Sequence, residues 1–110
     1  MKWDAAKAKC LLRGGHLVTI ENAGENHFLS TRFKGIKTAW IGFYKPTDKW
    51  IWVTPEDTGF QGWASEEPDI STRSPRIGVC IAAHRGANGK WFDTYSDDRH
   101  IEGYICEWDE

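Results

Sequence analysis

The sequence predicts an α+β fold in a single domain spanning residues 1–110, with helical segments early and strands after them. Three observations carry that expectation. Apolar residues recur at helical spacing near the start, from about Thr38 onward the apolar stretches become aromatic and β-branched as in strands, and 110 residues give room for one core only.

Trp3, Ala6 and Cys10 share one helix face, Asp4 lies in the first turn and Gly14-Gly15 stands where a helix stops, so residues 3–13 are predicted as a short amphipathic helix. His16 to Ile20 follows as a strand. Asn22, with Glu25 three residues later, has the form of a capping box, and Phe28, Leu29 and Phe33 carry the second helix to about Lys34-Gly35. Thr38 to Phe43 and Lys49 to Val53 are strands, the second placing Trp50 and Trp52 on one face. Residues 54–76 have no usable period and contain Pro55, Pro68 and Pro75, which makes them a long loop of the kind that is usually functional or disordered. Gly78 to Ala82 and Lys90 to Asp93 are strands around a turn at Gly86 to Gly89, and Gly103 to Glu107 closes the chain.

Composition narrows the function. The chain is 40% hydrophobic and 27% charged, the profile of a globular domain. No stretch approaches the ~18 consecutive apolar residues that a bilayer requires. Fourteen basic residues are scattered among 16 acidic ones, for a net charge of −2, without the basic stripe that phosphate backbones select, so neither nucleic acid nor a membrane is an expected partner. Seven of the 15 aromatic residues are Trp, most of them expected in the core, with the rest suited to stacking on a ligand. Three cysteines cannot all pair within one chain, so at least one thiol is free, capped or intermolecular. Cys10 and Cys106 lie near the two ends and look like a staple, which would suit an oxidising compartment. No basic-then-apolar leader precedes Trp3.

In order, Trp3 through Cys10, Gly14-Gly15-His16-Leu17, Glu25, Trp40-Ile41-Gly42-Phe43, Trp50-Ile51-Trp52, Trp63, Glu67-Pro68-Asp69, Cys80, Trp91-Phe92-Asp93 and Cys106-Glu107 resemble the C-type lectin-like domain family. The resemblance runs nearly end to end. It implies two short helices around two small antiparallel sheets, with a long loop that carries calcium and sugar, in a secreted or cell-surface protein. It implies a Cys10–Cys106 disulfide and leaves Cys80 as a free, buried thiol, because the position of its family partner is Ser96. The family strand that normally precedes the first helix is missing or trimmed; a neighbour's strand in its place would make a homo-oligomer.

The same resemblance implies a ligand site at Glu67, Asp69, Phe92 and Asp93, with Glu67, Asp69 and Asp93 as calcium ligands and a cis peptide before Pro68. Calcium takes 6–8 oxygens from several segments. Two departures remove donors: the family's acidic residue two places before Cys80 is Gly78, and the Asn of its Trp-Asn-Asp motif is Phe92. Glu66, Ser71, Asp97 and Asp98 are the neighbours that would have to substitute. Glu-Pro-Asp mixes the family's mannose-type and galactose-type triplets and selects neither. Phe92 would offer a stacking surface or pack inward.

Two readings follow: a calcium-dependent carbohydrate-binding module, or the same fold used without calcium to bind a protein or serve a structural role. The chain is not expected to be an enzyme. His16, His27, His84 and His100 have no metal-ligand spacing, no nucleophile elbow occurs, and a thiol enzyme would need Cys80 exposed beside a base.

Overall fold

The structure is a computed structural model that describes residues 1–33, 35, 37–47, 49–55, 58–68, 77–82 and 89–108. The turn expected at Gly86 to Gly89 lies mostly outside the described residues, as do Asp69, Ser71 and His84.

Helix α1 (Trp3–Leu12) buries Trp3, Ala6 and Cys10, the three residues whose spacing defines its apolar face. It ends at Gly14, whose φ of +82° lies in the left-handed region that glycine enters without a Cβ clash, and the Gly15 N–H caps the Cys10 carbonyl at 2.9 Å. Strand β1 is only His16–Leu17, shorter than expected. The reason is visible in the next three residues. Val18, Thr19 and Ile20 are all buried, without the alternation of a half-exposed strand. Val18 spends its N–H on the Ile105 carbonyl and its carbonyl on the Gly42 N–H, so the segment crosses between two sheets.

Helix α2 (Ala23–Arg32) starts with the N-cap half of the expected box, Asn22 Oδ1 accepting from the Glu25 N–H at 2.8 Å. Of its expected apolar residues Leu29 is buried and Phe33 packs on the core, whereas Phe28 is 62% exposed.

The remaining strands are β2 (Thr38–Lys45), β3 (Ile51–Trp52), β4 (Ile77–Ala82), β5 (Lys90–Tyr95), β6 (Gly103–Tyr104) and β7 (Cys106–Glu107). β1 and β7 form an antiparallel pair; β3-β2-β4-β5 form the larger antiparallel sheet, and β6 adds to β2 in parallel. Thus the two helices and two sheets of an α+β fold are present, with a parallel β2–β6 pairing that the expectation of purely antiparallel sheets did not contain. Gly42 sits at the irregularity in β2 between Trp40 and Tyr44. A Cβ there would lie 2.8 Å from both the Leu17 and Val18 carbonyls, so only glycine lets the two sheets approach this closely. Cys10 and Cys106 are joined, tying α1 to β7 across 96 residues.

Alternation along β4 and β5 divides the core. Val79, Ile81 and Trp91 face one cluster with Val18, Ile20, Leu29, Phe43 and Trp52. Cys80 faces the other, with Trp3, Ala6, Cys10, Leu17 and Trp40.

Candidate functional site

The long-loop segment is held to the sheet by its own backbone. Trp63 pairs with Trp91 in a parallel bridge, the Ala64 N–H donates to the Trp91 carbonyl at 2.9 Å, and the Trp91 N–H donates to the Gly62 carbonyl at 2.9 Å. Running parallel to β5, the chain then heads in the direction of Asp93. A tight turn follows, with the Glu67 N–H on the Ala64 carbonyl and Glu66 at a φ of +67°, and the Glu67-Pro68 peptide is cis. Glu67 is half-buried and its Oε2 is shielded from solvent.

Asp93 stands opposite Val79 in the β4–β5 ladder, so its carboxylate shares the face of the first cluster, and it is 3% exposed. Phe92 stands opposite Cys80 and packs, half-buried, against the second cluster. The four expected ligand-site positions therefore divide. Glu67 and Asp93 belong to the loop-bearing side, Phe92 packs on the other face of the sheet, and Asp69 lies outside the described residues.

The same division explains Gly78. Its Cα lies under Trp3 and Trp40: a Cβ would be 2.8 Å from Trp3 Cδ1 and 2.9 Å from the Trp40 ring. No carboxylate fits there without displacing two buried indoles, so with these partners position 78 cannot supply a metal ligand. Asp98, one of the candidate substitutes, is engaged locally. Its Oδ2 accepts from Thr94 Oγ1 at 2.7 Å, and its Oδ1 accepts from the His100 N–H at 2.8 Å and meets His100 Nδ1 at 3.1 Å. Partial burial alone would raise its pKa, but the Thr94 and His100 hydrogen bonds bring it below the usual carboxylate range.

Among the described residues no group of three or more His, Cys, Asp or Glu converges, and Glu67 and Asp93 are the two expected calcium ligands that fall within them. Two carboxylates fall short of the 6–8 oxygens that calcium takes, so the donor set fits calcium only with further oxygens from the loop. Cys80 is unpaired and fully buried. Burial, with smaller contributions from Asp98 and Asp93, pushes its thiol well above the ordinary value. It therefore lacks the exposure and lowered pKa of a nucleophile.

Beside this segment lies an aromatic cleft of about 400 Å³ formed by Phe43, Trp50, Trp52 and Phe60 with Gln61. Its rings interlock: Phe43 lies 5.6 Å from Trp50 and 4.4 Å from Trp52, and Trp50 meets Trp63 edge-on at 5.0 Å. The Trp50-x-Trp52 alternation signalled these rings; nothing in the spacing of Phe60 and Gln61 did.

These features define a class: an α+β domain whose loop side carries a buried and a half-buried carboxylate and, beside them, an aromatic cleft. The chain belongs to the C-type lectin domain family, whose profile matches residues 1–108. It is 34% identical over 107 residues to mouse (Mus musculus) asialoglycoprotein receptor 1, a match that covers 96% of this chain but only 37% of the receptor. Its structure superposes on the cow C-type carbohydrate-recognition domain of CD23, solved in the presence of a GlcNAc2Man3 oligosaccharide, with a TM-score of 0.81, at 25% identity and over 96% of this chain and 78% of that one. A calcium-independent type II antifreeze protein shares the fold with a TM-score of 0.76, at 25% identity and over 96% and 77% of the two chains. Family members are non-enzymatic recognition modules, and this chain is one of them. C-type lectins commonly bind calcium, and no described helix here is long and apolar enough to cross a membrane.

Proposed function

We propose that the module binds carbohydrate on its loop side through Glu67, Asp69 and Asp93, with a calcium ion held by those carboxylates and completed by backbone, water and sugar oxygens. The observation that carries this reading is the buried Asp93 carboxylate, placed by β5 on the face toward which the Trp63–Trp91 bridge steers Glu67. A sugar's vicinal hydroxyls would share the metal and hydrogen-bond to the same carboxylates. The carbohydrate recognition named for the cow CD23 domain and the receptor name of the mouse relative support the same ligand class and an extracellular location. The Cys10–Cys106 bridge agrees with that location.

A second reading has its own observation. Gly78 and Phe92 belong to the sealed face, so two family donors are replaced by packing, as would suit a calcium-independent module that binds a protein partner. Binding to immobilised mannosides and galactosides, measured in calcium and in EDTA for the parent chain and Asp93→Asn, separates the two. Calcium-dependent retention that Asp93→Asn abolishes supports the first; no retention on any glycan contradicts it and favours a protein ligand.

A further inference from the structure

A second cavity, of about 300 Å³, opens between α2 and residues 60–63, on the far side of Phe60 and Gln61 from the aromatic cleft. Asn26 forms its rigid wall. The Asn26 amide donates to the Gly89 carbonyl at 2.9 Å and accepts from Trp91 Nε1 at 2.7 Å, so both ends are committed to structure. The groups left for a ligand are mostly donors. Trp63 Nε1 donates to Gln61 Oε1 at 2.7 Å, which orients that amide and leaves its NH2 to donate. The Ser30 hydroxyl proton is used on the His27 carbonyl. Lys90 opens β5 with an exposed side chain that makes no ion pair among the described residues, and the His27 ring is exposed beside it. The described lining contains no carboxylate, in a chain where acidic residues outnumber basic ones. Phe60 and half-buried Trp63 add aromatic surface.

Donors, one ammonium group and ring faces together select a ligand with many acceptors, a negative charge and an apolar face. We propose that this cavity is an independent glycan subsite for a sugar that bears an anionic group, either a carboxylate or a sulfate ester. The anion would sit on Lys90 and the Gln61 amide by charge-assisted hydrogen bonds, while the ring's C–H face lies on Trp63 or Phe60. The cavity volume is at the small end of ligand pockets and suits one residue of a longer chain. The inference rests on the module recognising carbohydrate, but not on calcium or on Glu67, Asp69 and Asp93.

The test is an NMR titration of the tryptophan indole N–H signals in EDTA, with glucuronate, glucose 6-sulfate, glucose, and acetate and inorganic sulfate as separate probes. Glucuronate and glucose 6-sulfate are expected to shift the Trp63 indole and to bind about tenfold more tightly than glucose, as one charge-assisted contact implies. Lys90→Gln and Gln61→Glu, which remove the cation and introduce a repelling carboxylate, should each restore glucose-like affinity. Equal binding of glucose, equal binding of bare sulfate or acetate, or unchanged affinity in both variants would overturn the proposal. Asp93→Asn leaves this titration unchanged if the subsite is independent, so failure of the long-loop reading is seen separately in calcium-dependent retention.

Discussion

The two faces of the β4–β5 ladder are built from alternate residues of the same strands and have been put to opposite uses. On one face Cys80 and Phe92 lie under α1 with Trp3 and Trp40, closed further by the Cys10–Cys106 bridge. On the other, Val79, Trp91 and Asp93 support the loop segment, and the rings of Trp50 and Trp63 are left half-exposed beside open clefts. A one-residue step along a strand therefore decides whether a substitution bears on packing or on ligand chemistry. Gly78 and Phe92, which look like lost ligand donors when the chain is compared with its family, are both packing residues here.

The largest expected effect lies on the sealed face. Replacing Cys10 and Cys106 by Ser opens a loop of 96 residues, which the chain-entropy model values at about 4.7 kcal/mol. Denaturant unfolding of the double variant should show a loss of that order; a loss below ~1 kcal/mol would mean that the sealed face does not depend on its staple.

Gly78→Asp sharpens the comparison directly, since it restores the acidic residue of the family. Its Cβ and charge would enter the space of Trp3 and Trp40, and overpacking together with an unpaired buried carboxylate should cost ~3 kcal/mol or more with no gain in calcium response. A variant as stable as the parent, with a stronger calcium response, would show that position 78 opens toward the loop.

Two partly buried carboxylates give smaller effects of opposite sign. The Asp98 pKa is depressed by Thr94 and His100, so its contribution is present above the ordinary carboxylate range and is lost as pH falls through the folded value. Asp98→Asn should therefore cost at most about 1 kcal/mol at neutral pH and nothing in acid, measured by urea unfolding at both. The Glu25 pKa is raised, first by burial and then by the charge of Glu107. The folded state thus disfavours its ionised form, and the penalty appears as pH rises through the folded value. Glu25→Gln should stabilise the chain by about 0.3 kcal/mol at neutral pH, with no change in acid; the opposite sign would place a cation beside Glu25.

Much of this architecture was legible because local signals agreed with tertiary packing. The Trp3, Ala6, Cys10 spacing and the Asn22/Glu25 cap specify their helices with residues that the structure uses in those roles. Where local pattern misled, a distant contact was responsible. Val18 to Ile20 look like strand but cross between sheets, and Phe28, apolar and in helical register, faces outward because α2 touches the core mainly through Leu29. The face of position 78 depends on two indoles 38 and more residues away in sequence. The second cavity was illegible for the same reason: Asn26 and Lys90 are joined through Gly89 and Trp91, which no spacing announces.

Thermal unfolding of the oxidised chain in EDTA and in millimolar calcium, for the parent and for Asp93→Asn, tests the loop-side site most directly, because a ligand that binds only the folded state raises stability as RT ln(1 + [L]/Kd). A rise of several degrees in calcium that Asp93→Asn abolishes is expected. No rise in the parent, or an equal rise in the variant, would contradict the assignment of calcium to Glu67, Asp69 and Asp93.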